Sequence, residues 1–265
     1  MERSVSSRIT LDVTEEADLV FAVAVSRHYE PTRERFSAVC EGEELEFHEV
    51  FDAHGTRLHR VAAPQGRLEV SYQAMVFGEG AGAAGDEASL LVYTRPSRYA
   101  ESDALAPTAS AEFAGIRNPL DLLVAVSSWV GTELAYVPGS SLPTDGATRT
   151  LLARRGVCRD YAHLCVALLR ALNVPARVVA VYAPGLSPMD FHAVAEAWVD
   201  GAWRVVDATT LAPRATLVRI ATGRDAADTA FLTVVSGRAD LVDVEVSAVA
   251  DELPGDDLNV PVSIA

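Results

Sequence analysis

Cysteine is scarce in this chain: Cys40, Cys158 and Cys165 are the three among 265 residues. A sparse, odd set does not make the framework of a disulfide-stapled secreted domain, and it fits free thiols in a reducing compartment, so a cytoplasmic location is expected. Basic residues are also in deficit, 22 Lys+Arg against 37 Asp+Glu, for a formal net charge of -15. Phosphates and anionic headgroups would be repelled, so neither nucleic acid nor a membrane is expected as partner. No apolar run reaches the about 18 residues of a bilayer-spanning helix. The N-terminal stretch MERSVSSRITLDVTEEADLVFAVAV is broken by Asp12, Glu15, Glu16 and Asp18, unlike a secretory signal. There is no heptad seam, no long internal repeat, no CxxC pair, no HExxH and no DxDxDG loop, and hence no metal or cofactor is expected.

What is present is enough to bury a core. The chain is 49% hydrophobic, and its length admits one large domain or two modest ones. Two are read from the periodicity. Between residues 8 and 95, the segments ITLDV, DLVFAVAVS, ELEFHEVFDA, RLHRVAA, RLEVSYQAMVF and SLLVYTR alternate with period two and are separated by Gly, Pro and Asp, which predicts an all-β N-terminal domain over 1–97. The Gly/Ala-rich 77–89 segment reads as a hairpin loop, since it lacks the Lys, Ser or Thr spacing of a phosphate cradle. A composition shift at PSRYAESDALAPTAS marks a linker, placed at 98–115.

Beyond it the period changes. Asn118 and Pro119 read as N-cap and first residue of a helix over 118–134, with Leu122, Leu123, Val126, Trp129 and Val130 on one face. A second helix starts near TRTLLARRG, and a third runs from Cys158 to Leu172 with HLCVALLRAL as its apolar stripe. Three strands follow, ARVVAVYA, HAVAEAWVD and AWRVVDAT, the last two joined by a tight DG hairpin. The alternating tail from TAFLTVVSG through LVDVEVSAVA is read as completing the sheet. Helices followed by strands give an α+β fold for 116–265.

Cys158 is the candidate nucleophile, the alternative being a small buried hydrophobe. It opens a helix just after Gly156, where backbone N–H groups and the positive end of the helix dipole favour a thiolate, and its own N–H can donate to an oxyanion. A thiol nucleophile needs a base and the base an orienting group. His192 heads one strand and Asp207 ends its hairpin partner, an arrangement that brings both to one sheet edge. Read singly, each could equally be a surface histidine and a turn cap. His163 lies about 140° further round the helix from Cys158 and points elsewhere. Cys165, inside the stripe, reads as core. Zinc on Cys158, His163 and Cys165 lacks a fourth ligand; His48, His54 and His59 read as solvated strand residues, Asp160 as a helix-stabilising first-turn acid. Trp129, Tyr136, Trp198 and Trp203 read as core aromatics, although Trp129 or Tyr136 could donate to an oxyanion.

The ordered boxes GVCRDYAHL, FHAVAEAWVDGAW and RVVDATT resemble the signature of the transglutaminase-like superfamily, with LAYVPGSS and TRTLLARRG upstream and TGRDAADTAFLTVVSG downstream also similar to bacterial members. The resemblance covers about 116–237. It implies a papain-like core, a preceding β module, a nucleophile at Cys158, a base at His192 and an orienting carboxylate at Asp207. It leaves the second oxyanion donor open. The expected activity is thiol acyl transfer on a protein or peptide carboxamide through a thioester, resolved by an amine or by water. The alternative is a binding or assembly module that keeps the triad without using it.

Overall fold

The computed structural model describes residues 1–264. Its first strand, β1 (Glu2–Phe21), organises the N-terminal half. With Val5, Ile9, Leu11 and Val13 buried in alternation, one face of this long strand is committed to the core. Around it lie β2 (Thr32–Cys40), β3 (Glu43–Glu44), β4 (Phe47–Phe51), β5 (Arg57–Ala63) and β6 (Gly66–Phe77). The order is β3-β2-β6-β1-β5-β4. The first half of β1 pairs with β6, from Glu2↔Phe77 to Val13↔Gly66, and its end with β5, from Ala17↔Ala63 to Phe21↔His59.

The segment after β6 does not turn back as a hairpin. It runs over the second half of the molecule, where Ala84 O accepts from Trp203 Nε1 at 3.3 Å, and enters a helix, α1 (Glu87–Val92). The strand expected over SLLVYTR is therefore a helix, because Asp86 caps it by accepting from Ser89 N at 3.0 Å and Ser89 Oγ at 2.5 Å. The expected linker at 98–115 is also structured: α2 (Ser102–Phe113) buries Leu105, Ala109 and Phe113, a narrow i, i+4, i+8 stripe in an otherwise polar, Pro107-containing segment.

Next come α3 (Pro119–Glu133), capped by Asn118 Oδ1 on Leu120 N at 2.9 Å, then β7 (Ala135–Tyr136), α4 (Ala147–Ala153), β8 (Arg155–Gly156) and α5 (Cys158–Ala171). A second antiparallel sheet, ordered β11-β10-β9-β12, is built from β9 (Ala176–Tyr182), β10 (His192–Val199), β11 (Ala202–Val206) and β12 (Val218–Gly223). Helix α5 packs across it with Leu164, Cys165, Val166, Leu168 and Leu169 fully buried, and the whole is the expected α+β, papain-like arrangement.

After the short α6 (Ala226–Thr229), β13 (Leu232–Ala250) corrects a further expectation. It does not complete the second sheet. It pairs along β1, from Arg3↔Ala250 to Phe21↔Leu232, so residues 232–250 belong to the N-terminal sheet and not to a self-contained unit over 116–265. The alternation was readable, but a partner more than 200 positions away is not encoded locally. The two halves share a core in which Tyr182, Val218 and Ile220 pack with Phe21 and Val23, and Tyr182 donates to Val23 O at 2.8 Å. Beneath the second sheet Glu196 joins two buried guanidinium groups, accepting from Arg177 Nε at 2.8 Å and from Arg219 Nη1 at 3.0 Å and Nη2 at 2.6 Å.

Candidate active site

The glycine before the thiol is required by close packing. A Cβ on Gly156 would lie 2.6 Å from Asp160 Cβ, so only glycine lets Asp160 fold back and accept from Val157 N at 2.7 Å. That bond satisfies one of the free amides of the first turn and fixes the direction in which α5 starts. Asp160 is thus helix-stabilising, and Cys158 is delivered half-buried at the first position of the helix. Arg159 points away and holds the loop after β7, donating to Ser141 Oγ and Leu142 O, both at 3.2 Å.

His192 opens β10, and Asp207 follows the last residue of β11, which pairs antiparallel with β10. His192 Nε2 donates to Asp207 Oδ2 at 2.9 Å, with both side chains almost wholly buried. The other oxygen, Asp207 Oδ1, accepts from Thr209 N at 2.9 Å and Thr209 Oγ1 at 2.7 Å. With Nε2 occupied, the nitrogen left for the thiol is Nδ1, which is buried without a hydrogen-bond partner, and the Cys158 side chain interacts with this ring. Burial alone would pull the imidazole down; the Asp207 charge and hydrogen bond, with the contact to Cys158, more than reverse this and raise it to about 10. Burial would push the Asp207 carboxyl up, but the His192 charge and hydrogen bonds from His192 and Thr209 hold it below its ordinary value.

Tyr136 joins the group. Its strand β7 pairs in parallel with β8, Tyr136 opposite Gly156, which sets its phenol beside Cys158. Burial and the neighbouring thiol raise the phenol to about 12, which keeps its proton in place near neutral pH. Trp129 is elsewhere, edge-on to Phe113 at 5.9 Å in the core.

The competitors are otherwise engaged. His163 is fully buried, stacks on Tyr99 at 5.5 Å and accepts at Nε2 from Ala226 N at 3.0 Å. Cys165 is completely buried, which pushes its thiol up. Among the described residues no three His, Cys, Asp or Glu side chains form a group able to hold a metal ion. His59 departs from the solvated reading: it is 2% exposed and stacked 4.1 Å from Phe36.

Comparison with known proteins bears on the family and the fold. The family model of the transglutaminase-like superfamily matches residues 107–208. The crystal structure of a Cytophaga hutchinsonii protein, described as a candidate cysteine protease, superposes with a TM-score of 0.88 at 31% identity, covering 100% of this chain and 96% of that one. An uncharacterised Mycobacterium leprae protein is 28% identical over 156 residues, 54% of this chain and 55% of that protein. One from Mycobacterium tuberculosis is 36% identical over 81 residues, 31% of this chain and 26% of that protein. The matches thus span about half and about a quarter of these two mycobacterial relatives. With the second sheet, the helix-borne cysteine and a full-length structural counterpart in place, the chain belongs to the transglutaminase-like superfamily.

Proposed function

We propose that the protein is a thiol acyl-transfer enzyme acting on carboxamides of proteins or peptides. The observation that supports it most is the hydrogen bond between His192 and Asp207 at 2.9 Å beside a thiol at a helix N-terminus. An imidazole raised to about 10 is cationic near neutrality, so His192 holds a proton that it can give to a leaving group.

In the first half-reaction the Cys158 sulfur attacks the carboxamide carbon, and the C–N bond breaks as His192 gives its Nδ1 proton to the departing amine or ammonia. The product is a thioester on Cys158. Asp207 holds the ring with Nδ1 toward the sulfur and stabilises its charge. The oxyanion formed on the way is met by the backbone N–H of Cys158 and by the Tyr136 hydroxyl, which fills the open place of the second donor. In the second half-reaction neutral His192 takes a proton from the acceptor as the acceptor attacks the thioester. An amine gives a new amide; water gives the acid. All 22 Lys+Arg positions of this sequence are arginine, so it offers no lysine ε-amine as acceptor.

The test is to incubate the protein with a Gln-containing peptide, with and without a primary amine, and to weigh the products. A gain equal to the amine less ammonia indicates transfer, a one-dalton gain deamidation, and a cut peptide proteolysis. A peptide recovered unaltered under all conditions contradicts the proposal.

A further inference from the structure

Adjoining the cysteine site is an open-sided cavity of about 370 Å³, between α3, the loop after β11 and the C-terminal segment. Ser127, Ser128, Tyr136, Tyr161, Thr209 and Leu258 contribute to its walls, and none of its lining residues carries a charge. It meets the site at two points: Tyr136, paired opposite Gly156, stands beside Cys158, and Thr209 also holds Asp207 at 2.7 and 2.9 Å. A group bound in the cavity therefore lies next to the reacting carboxamide.

One wall comes from a strap. Residues 251–264 run back over the second sheet, where Val205 N donates to Val262 O at 2.8 Å and Arg219 Nη2 to Ile264 O at 3.0 Å. Arg214, 5% exposed, grips both carboxylate oxygens of Asp256 at 2.9 to 3.1 Å and the carbonyl of Val260 at 3.1 Å. Leu258 lies midway between those two anchors, so its position is set by the strap.

We propose that this cavity is the subsite for an uncharged side chain flanking the reacting carboxamide, with its width set by Leu258. The inference rests on the acyl-transfer reading. A charged side chain entering would shed water and find no counter-charge, whereas one with an apolar body and a polar tip, tyrosine above all, meets the rings of Tyr136 and Tyr161, the Leu258 side chain and several hydroxyls.

The experiment uses Gln peptides with Gly, Tyr, Asp or Arg at each flanking position in turn, and compares kcat/KM in the wild type and in Leu258→Trp and Leu258→Ala, after thermal melts establish that both variants fold. Burial of a tyrosine side chain predicts a Tyr-to-Gly ratio of about tenfold or more at one position, with Asp and Arg below Gly. Leu258→Trp should bring that ratio to about one, mainly through KM, and Leu258→Ala should let bulkier residues compete with Tyr. If all flanks are equivalent while the Gly peptide is turned over, or the ratio survives Leu258→Trp, the subsite is overturned and the acyl-transfer reading stands. If the wild type turns over no peptide, both fall.

Discussion

Tyr136 and Cys158 are brought together by a strand pair of only two residues on each side, in which Tyr136 lies opposite Gly156 and its phenol stands beside Cys158. Removing the phenol hydroxyl as Tyr136→Phe should lower kcat by about a hundredfold with little change in KM, the pattern of a donor used in the transition state. Alkylation of Cys158 by iodoacetamide should persist in this variant. Steady-state kinetics on a Gln peptide check it, and a change confined to KM counts against the role.

The His192–Asp207 bond sets a pH profile. The reactive imidazolium is lost as pH rises through the ring's value of about 10, so kcat/KM should decline on that alkaline limb. In Asp207→Asn the largest influence lifting the ring is gone while its burial stays, so the limb should move well below 10, alongside a loss of about a thousandfold in kcat. A limb that stays in place separates Asp207 from the titration of His192.

Acid stability has a different source. Burial lowers His28 and His59 from 6.5 to about 4, so between these values the unfolded chain binds protons that the folded chain refuses. The stability these residues contribute is complete above pH 6.5 and drains as pH falls toward 4. His192, raised instead, keeps its contribution throughout that range. His59→Phe, which keeps a ring against Phe36, should flatten the decline in urea midpoint between pH 6.5 and 4; an unchanged slope refutes the assignment.

Gly131 allows α3 to approach the loop after Asp207, since a Cβ there would sit 2.8 Å from Ala208 O. Gly131→Ala should destabilise by about 1–3 kcal/mol, because rigid backbone has to move, and should lower kcat as Asp207 shifts with it. Melting curves and kinetics on one preparation test the pair of effects.

Much of this was readable from local signals. The Asn118 cap, the apolar stripe of 164–169 and the DG hairpin define α3, α5 and the β10–β11 pair, and two strands joined by a tight turn place His192 near Asp207 without further information. The elements that escaped depend on distant partners or weak stripes. Helix α2 buries about one residue per turn, β13 finds β1 across the whole chain, and the placement of Tyr136 beside Cys158 arises from a parallel pairing that has no signature in LAYV. Leu258 matters only because Arg214 and the second sheet hold the strap that carries it.

The most direct measurement is turnover of a Gln peptide by Cys158→Ala beside the wild type, with intact-mass analysis of both after a rapid acid quench. The account predicts a peptide adduct, less ammonia, on wild-type Cys158 and neither adduct nor turnover in the variant. Undiminished turnover by Cys158→Ala would contradict it.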